Sequence, residues 1–293
     1  MFDKFKKLMY SNNMAENQQA MFGHKVIFLN PDFPGHGEVF KKLAEDEYEV
    51  YFIENYRDAK NVLREYKDSI CIVYADEATA KRKMINFIVS CSKDGSLTST
   101  IFYLITSDLN IKEKKALEEA KPCYEGVIAF NPRTAFLTQA IELQLEEKNA
   151  KGRRQYVRVS CADDREAIAL AEMDGRLYKF KMHDISIVGS ACAVEPKFAQ
   201  FFQKGTLISS VNFSLAGKQI SVGEVAVYAT FTAGGVEKLV LLFKNPLSGE
   251  NKDFVHNYIR EKFDSDINTI IKSRPRDEED YSKAFAEGES EDK

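Results

Sequence analysis

The side chains best equipped for chemistry in this chain are three guanidinium groups set close together. Arg153, Arg154 and Arg158 lie in the run Arg153-Arg154-Gln155-Tyr156-Val157-Arg158, and about one hairpin further on Asp184, Ser186 and Gly189 stand in an Asp-x-Ser-x-x-Gly spacing. A guanidinium is a planar fork of donors. It matches a phosphate, or the O6 and N7 acceptor pair of guanine, with two parallel hydrogen bonds, which a lysine cannot do. A carboxylate and a hydroxyl can meet the N–H groups of the same base. Together the two stretches hold the ingredients of a pocket for a phosphate ligand bearing guanine. Either alone has an ordinary explanation, since arginine-rich loops are commonly solvated and Asp-x-Ser commonly bonds its own turn.

No other constellation competes. His24, His36, His183 and His256 show no metal-ligand spacing, and neither a nucleophile elbow nor a P-loop is visible. The five cysteines are scattered, odd in number and without a Cys-x-x-Cys pair, so neither zinc nor a disulfide framework is expected. Gly35-His36-Gly37 follows a strand-like run, but Phe40 fills the third glycine position and Asn30 to Pro34 intervene. A plain turn is expected there, and His183 is expected on a strand facing solvent. No catalytic residue and no metal site are expected, and the chain is read as a non-enzyme.

The elements that must position these residues fall into two groups. Lys25 onward, KVIFL, EVYFI, ICIVY, IFYLI and GVIAF are short apolar runs suited to buried strands. Between them lie helical stretches over 38–47, 58–67 with Asp58 as N-cap, 81–92 and 111–120, and a long helix opens at Thr134. Strand and helix in alternation imply right-handed crossovers and a flavodoxin-like doubly wound parallel sheet over 24–150, whose functional edge is the carboxyl ends of its strands. After Lys151-Gly152 the pattern changes to short strands with turn signals at Asp174-Gly175, Ala216-Gly217 and Gly234-Gly235. A small antiparallel barrel, closed or nearly so, with a C-terminal helix over about 253–272 is expected across 151–272. Residues 1–23 are expected to be a flexible segment, and 273–293 an acidic tail too poor in apolar residues to order itself.

The first group resembles a response-regulator receiver domain. The resemblance implies a phosphoacceptor aspartate ending the third strand, an acidic pair after the first, Ser or Thr after the fourth and Lys after the fifth. Asp76 and Thr106 or Ser107 stand at the third and fourth positions, but the chain reads Asn30-Pro31-Asp32 after the first strand and Asn131-Pro132 after the fifth. Phosphoryl transfer depends on metal and lysine to neutralise charge. The expectation is therefore a receiver-like domain that is not phosphorylated, with Asp76 a solvated strand-end carboxylate.

Residues 153 to about 262 resemble a PilZ domain, the bacterial receptor module for cyclic di-GMP. The resemblance rests on Arg154-x-x-x-Arg158 followed, after two strands, by Asp184-x-Ser186-x-x-Gly189 in a barrel-like context. It implies cyclic di-GMP as ligand rather than catalytic cofactor. Arg154 and Arg158 would grip phosphate and guanine, Asp184 and Ser186 would meet the base, and Gly189 would leave it room. An arginine at Arg153 would accompany an intercalated dimer of the ligand. The net charge of −4 argues against general nucleic-acid binding. No apolar run approaches the roughly 20 residues of a membrane span, and the start lacks a signal-peptide pattern, so a cytoplasmic effector is expected. Its protein partner would engage the receiver-like domain. Two other readings stay open: a phosphorylation-driven response regulator with a PilZ output, and a protein-interaction scaffold.

Overall fold

The computed structural model describes residues 23–283 apart from 122 and 234. All but the last residue of the expected N-terminal segment, and 284–293 of the tail, lie outside the described residues. The chain divides into two compact units, one running to Gln155 and resuming at Ile267, the other spanning Tyr156–Asp266.

The first unit alternates β1 Val26–Leu29, α1 His36–Glu45, β2 Val50–Ile53, α2 Tyr56–Glu65, β3 Ile70–Tyr74, α3 Ala78–Ser92, β4 Ile101–Thr106, α4 Ile111–Glu118, β5 Tyr124–Ala129 and α5 Thr134–Glu147. Its strands are all parallel in the order β2-β1-β3-β4-β5. All four residues of β1 are buried, as a central strand covered on both faces requires. α1 packs with α5, while α3 packs with α2 and α4. Strand order reverses between β1 and β3, which puts the crevice of this topology at their carboxyl ends, beside Asn30 and Asp76. α2 begins earlier than expected. Asn55 is its cap, accepting from Arg57 N at 3.0 Å, and Asp58 is a buried residue of the first turn.

The second unit is one antiparallel sheet built from β6 Val159–Ser160, β7 Ile168–Met173, β8 Arg176–Ser186, β9 Gly189–Val194, β10 Leu207–Ile208, β11 Val211–Leu215, β12 Lys218–Val222, β13 Val225–Ala233 and β14 Val236–Phe243, with the short α6 Pro196–Ala199 after β9. The order is β10-β13-β14-β9-β8-β7-β11-β12, and β6 pairs with β8. Of the closed or nearly closed barrel expected, the strands form a curled half-barrel whose closure is incomplete. β10 comes up against β7 without pairing with it, and no described pairing joins the edge strands β10 and β12. Asp174 and Gly175 both take positive φ, 53° and 70°, in the tight turn from β7 to β8. The long helix α7, Gly249–Ser273, starts earlier than the sequence suggested and runs past the division between units. Within the second unit, Val255, Ile259 and Phe263 are buried, and Tyr258 donates to Asp164 Oδ2 at 3.0 Å.

The expectation of a wholly unstructured tail is also corrected. Residues 274–283 lie along α2 and α3 of the first unit, where the Tyr281 ring is buried and T-shaped against Tyr56 and Phe87. One aromatic side chain among charges carries no periodic signal, so composition alone conceals such a contact.

Candidate functional site

The residues downstream of the division are assembled by one pairing. β6 begins directly after Arg158 and runs antiparallel to the end of β8, with Val159 opposite Ile185 and Ser160 opposite Asp184. Arg158 is the residue immediately before this strand. Residues 159–160 and 184–185, far apart in sequence, are thus brought side by side. β8 can serve both neighbours because it changes partner along its length. Arg176–Lys181 pair with β7, an irregularity follows between Met182 and Asp184, and Asp184–Ile185 then pair with β6. A bulge of this kind bends a strand and re-aims the side chains beyond it.

The three residues of the Asp-x-Ser-x-x-Gly spacing have different surroundings. Asp184 is half-buried, and one carboxylate oxygen, Oδ1, accepts from the Ala191 backbone N–H of β9 at 2.9 Å. Its carbonyl accepts from Ser190 Oγ at 2.7 Å. Ser186 is 0% exposed, and its hydroxyl donates to the Gly189 carbonyl at 3.1 Å across the β8–β9 turn. Gly189 is tightly hemmed: a Cβ there would stand 2.4 Å from the Leu241 carbonyl and 3.1 Å from Leu242 Cδ2. The close approach of β14 already requires glycine. Glycine is thus needed here by a neighbouring strand, independently of the expected room for a base.

His183 occupies the irregular step of β8. It does not face solvent as expected: it is half-buried, and its Nε2 is buried with no hydrogen-bond partner among the described residues. Burial, helped by Lys238 and Lys181 and opposed by Asp184, lowers its pKa and favours the neutral ring. Sequence reasoning named His183 but turned it toward solvent, and it did not single out Ser160, which pairs with Asp184. The thiols of Cys161 and Cys192 are each pushed up to about 12, chiefly by burial, so neither is a thiolate nucleophile at neutral pH.

Arg153 and Arg154 precede the division at Gln155 and belong to the first unit; both are exposed, whereas Arg158 is half-buried in the second.

In the first unit Asp76 follows β3, and its carboxylate is enclosed by the end of β4. Ser107 N donates to Oδ1 at 2.7 Å, Ser107 Oγ to Oδ2 at 3.0 Å and Thr106 Oγ1 to Oδ1 at 3.4 Å. The Ser107 backbone bond leads the causes that hold this carboxyl below its usual range, against a smaller opposing effect of burial. Asp76 is thus a hydrogen-bonded carboxylate rather than a merely solvated one. The buried Lys81, on α3, gives its ammonium to Asp108, reaching the carbonyl at 3.0 Å and Oδ1 at 2.6 Å. Asn131 is occupied in its own turn, accepting from Arg133 N at 2.9 Å, and Asn30 donates to the Tyr74 carbonyl at 3.0 Å. Among the described residues, no group of three or more His, Cys, Asp or Glu side chains is placed to hold a metal ion, and no helix is long and apolar enough to cross a membrane.

No protein-family model matches the chain, and neither does any curated protein. Solved structures do. The chain is similar to the PilZ domain with c-di-GMP of YcgR from Escherichia coli, at 14% identity over 42% of this chain and 99% of that one, with a TM-score of 0.33. It is similar to YcgR of Escherichia coli in complex with c-di-GMP at 15% identity, over 42% of this chain and 52% of that one, with a TM-score of 0.36. It is similar to the PlzA protein of Borreliella burgdorferi in complex with c-di-GMP at 16% identity, over 45% and 49% of the two chains, with a TM-score of 0.27. The match spans nearly all of the single-domain structure and about half the length of the other two.

Proposed function

We propose that this protein is a non-enzymatic cyclic di-GMP effector of PilZ type. The observation that supports the reading is the β6–β8 pairing, in which the strand that begins directly after Arg158 sets Ser160 opposite Asp184. Arg158, with Arg153 and Arg154 just upstream, would supply guanidinium forks for the ligand's phosphates and guanine edges. Asp184 keeps Oδ2 for guanine N–H donors, and Ser186 and Gly189 shape the turn beneath them. Arg153 favours an intercalated ligand dimer, stacked base on base with a guanidinium over its face.

The division of the chain falls between Arg154 and Arg158. Ligand held by arginines on both sides would order that segment and change the disposition of the units, a switch driven by its differential affinity for the two arrangements. In this reading the first unit is a receiver-like domain that signals to a protein partner without phosphorylation, and the protein works in the cytoplasm without binding nucleic acid. The test is calorimetric titration of the full chain with cyclic di-GMP. Saturable binding, lost in Arg154→Ala and Arg158→Ala, is expected, with a stoichiometry near two for the dimer. Absence of binding, or equal binding by the variants, would refute the reading. Superimposable small-angle scattering profiles with and without ligand would refute the reorientation alone.

A further inference from the structure

Residues 274–283 read Arg-Pro-Arg-Asp-Glu-Glu-Asp-Tyr-Ser-Lys, a composition that ordinarily stays in water. Here they engage the first unit at every level of chemistry available to a peptide. The Tyr281 ring, 2% exposed, sits between Tyr56 of α2 and Phe87 of α3, with ring centroids 5.6 Å away in both directions. Beneath it the Lys60 ammonium, on a residue only 7% exposed, lies 2.9 Å from Glu279 Oε2, 3.4 Å from Asp277 Oδ2 and 5.3 Å from the Tyr281 ring centre. The tyrosine hydroxyl closes the cluster, donating to Asp277 Oδ2 at 2.5 Å and lying 3.0 Å from Glu279 Oε2.

The helices also read the peptide backbone. Asn61 Nδ2 donates to the Pro275 carbonyl at 2.7 Å, and Asn86 Nδ2 donates to the carbonyls of Tyr281 and Lys283, each at 2.9 Å. The Asp277 N–H returns a bond to the Arg57 carbonyl at 2.9 Å. At the near end, Arg276 Nε meets the buried Asp58 at 3.0 Å.

A nearly buried ammonium on a helix face is costly unless carboxylates meet it. No acid on α2 or α3 is paired with Lys60; the carboxylates that meet it come from the tail. Side-chain amides that grip main-chain carbonyls, an aromatic slot and a cation awaiting acids form a peptide site rather than a simple packing seam. We propose that the α2–α3 face is a docking site for an acidic, tyrosine-anchored peptide of the pattern Asp-x-Glu-x-Tyr. The chain's own residues 274–283 fill it as a displaceable clasp, and a partner protein bearing that pattern must compete with them. The proposal is independent of the ligand reading of the second unit.

The experiment uses full-length protein and a fluorescently labelled synthetic peptide of residues 274–283, followed by anisotropy. The unaltered chain should bind the peptide weakly, because its own tail occupies the face. Full-length Tyr281→Ala should bind it at least about tenfold more tightly, and a peptide carrying Tyr281→Ala should bind neither chain. Should Tyr281→Ala prove unstable, the near-isosteric Asp277→Asn/Glu279→Gln chain takes its place with the same expected gain. Amide exchange along α2 and α3 should quicken in the loosened chain and slow again on adding peptide. Failure of the peptide to bind the loosened chains, or equal binding to loosened and unaltered chains, overturns the proposal.

Discussion

The backbone N–H of Ala191 donates to Asp184 Oδ1 at 2.9 Å, so the hairpin partner already holds one oxygen of the carboxylate proposed to read guanine. Structural and ligand roles therefore meet in a single side chain, and substitutions can separate them. Asparagine keeps an oxygen that accepts from Ala191 but replaces an acceptor with a donor facing the ligand. Asp184→Asn should stay within about 0.5 kcal/mol of the parent in urea unfolding while losing cyclic di-GMP affinity by about tenfold or more. Asp184→Ala should lose affinity and also about 1–3 kcal/mol of stability, because the Ala191 N–H is left without its partner.

Gly189→Ala should destabilise the protein before any ligand is added. The new methyl would stand 2.4 Å from the Leu241 carbonyl, a backbone atom that yields only if β14 shifts. Overpacking of this kind costs about 1–3 kcal/mol. Thermal unfolding of ligand-free protein checks it, and an unchanged midpoint would mean that β14 gives way easily.

Much of this architecture was legible in advance, and the misses share a cause. The β1, β3 and β4 runs are apolar at nearly every position, and that is how a strand covered on both faces declares itself. What sequence reading missed depends on partners distant along the chain. Asp58 looked like a helix cap because its partner Arg276 lies 218 residues away. His183 looked like a solvent-facing strand residue because nothing local announces the irregular step that buries its Nε2. The second demand on Gly189 was hidden because the strand that crowds it, β14, comes some fifty residues later. In the arginine and Asp-x-Ser-x-x-Gly stretches the residue types were visible, whereas the pairing of Ser160 with Asp184 needed the β6–β8 register.

Asp76 should resist phosphorylation. Both of its oxygens accept hydrogen bonds from Ser107, and the nearby ammonium of Lys81 is bonded to Asp108. A carboxylate so held is a poor nucleophile, and Asn131 cannot supply the positive charge a transferring phosphoryl group requires. Incubation with acetyl phosphate and magnesium should leave the intact mass unchanged. A phosphoryl adduct that disappears in Asp76→Ala would instead favour a phosphorylation-driven regulator.

The clasp formed by residues 274–283 should weaken at both ends of the pH scale. Burial raises the pKa of Asp277 and of Glu279, but hydrogen bonds outweigh it, from Tyr281 and the Glu279 backbone to the first and from Lys60, Ser90 and Tyr281 to the second, leaving both lowered. Depressed carboxylates contribute stability that is fully present above their unfolded values, about 4, and lost as pH falls through the folded ones. Lys60 runs the other way. Burial lowers it, yet its bond to Glu279 and the charge of Asp277 leave it raised, so its contribution holds below about 10.4 and disappears as pH rises through the folded value. The difference in urea midpoint between the unaltered chain and Tyr281→Ala isolates the clasp. That difference should be flat across neutral pH and shrink below about pH 4. A constant difference down to about pH 2.5 would show that the Tyr281 ring alone, without its carboxylates and Lys60, holds the tail in place.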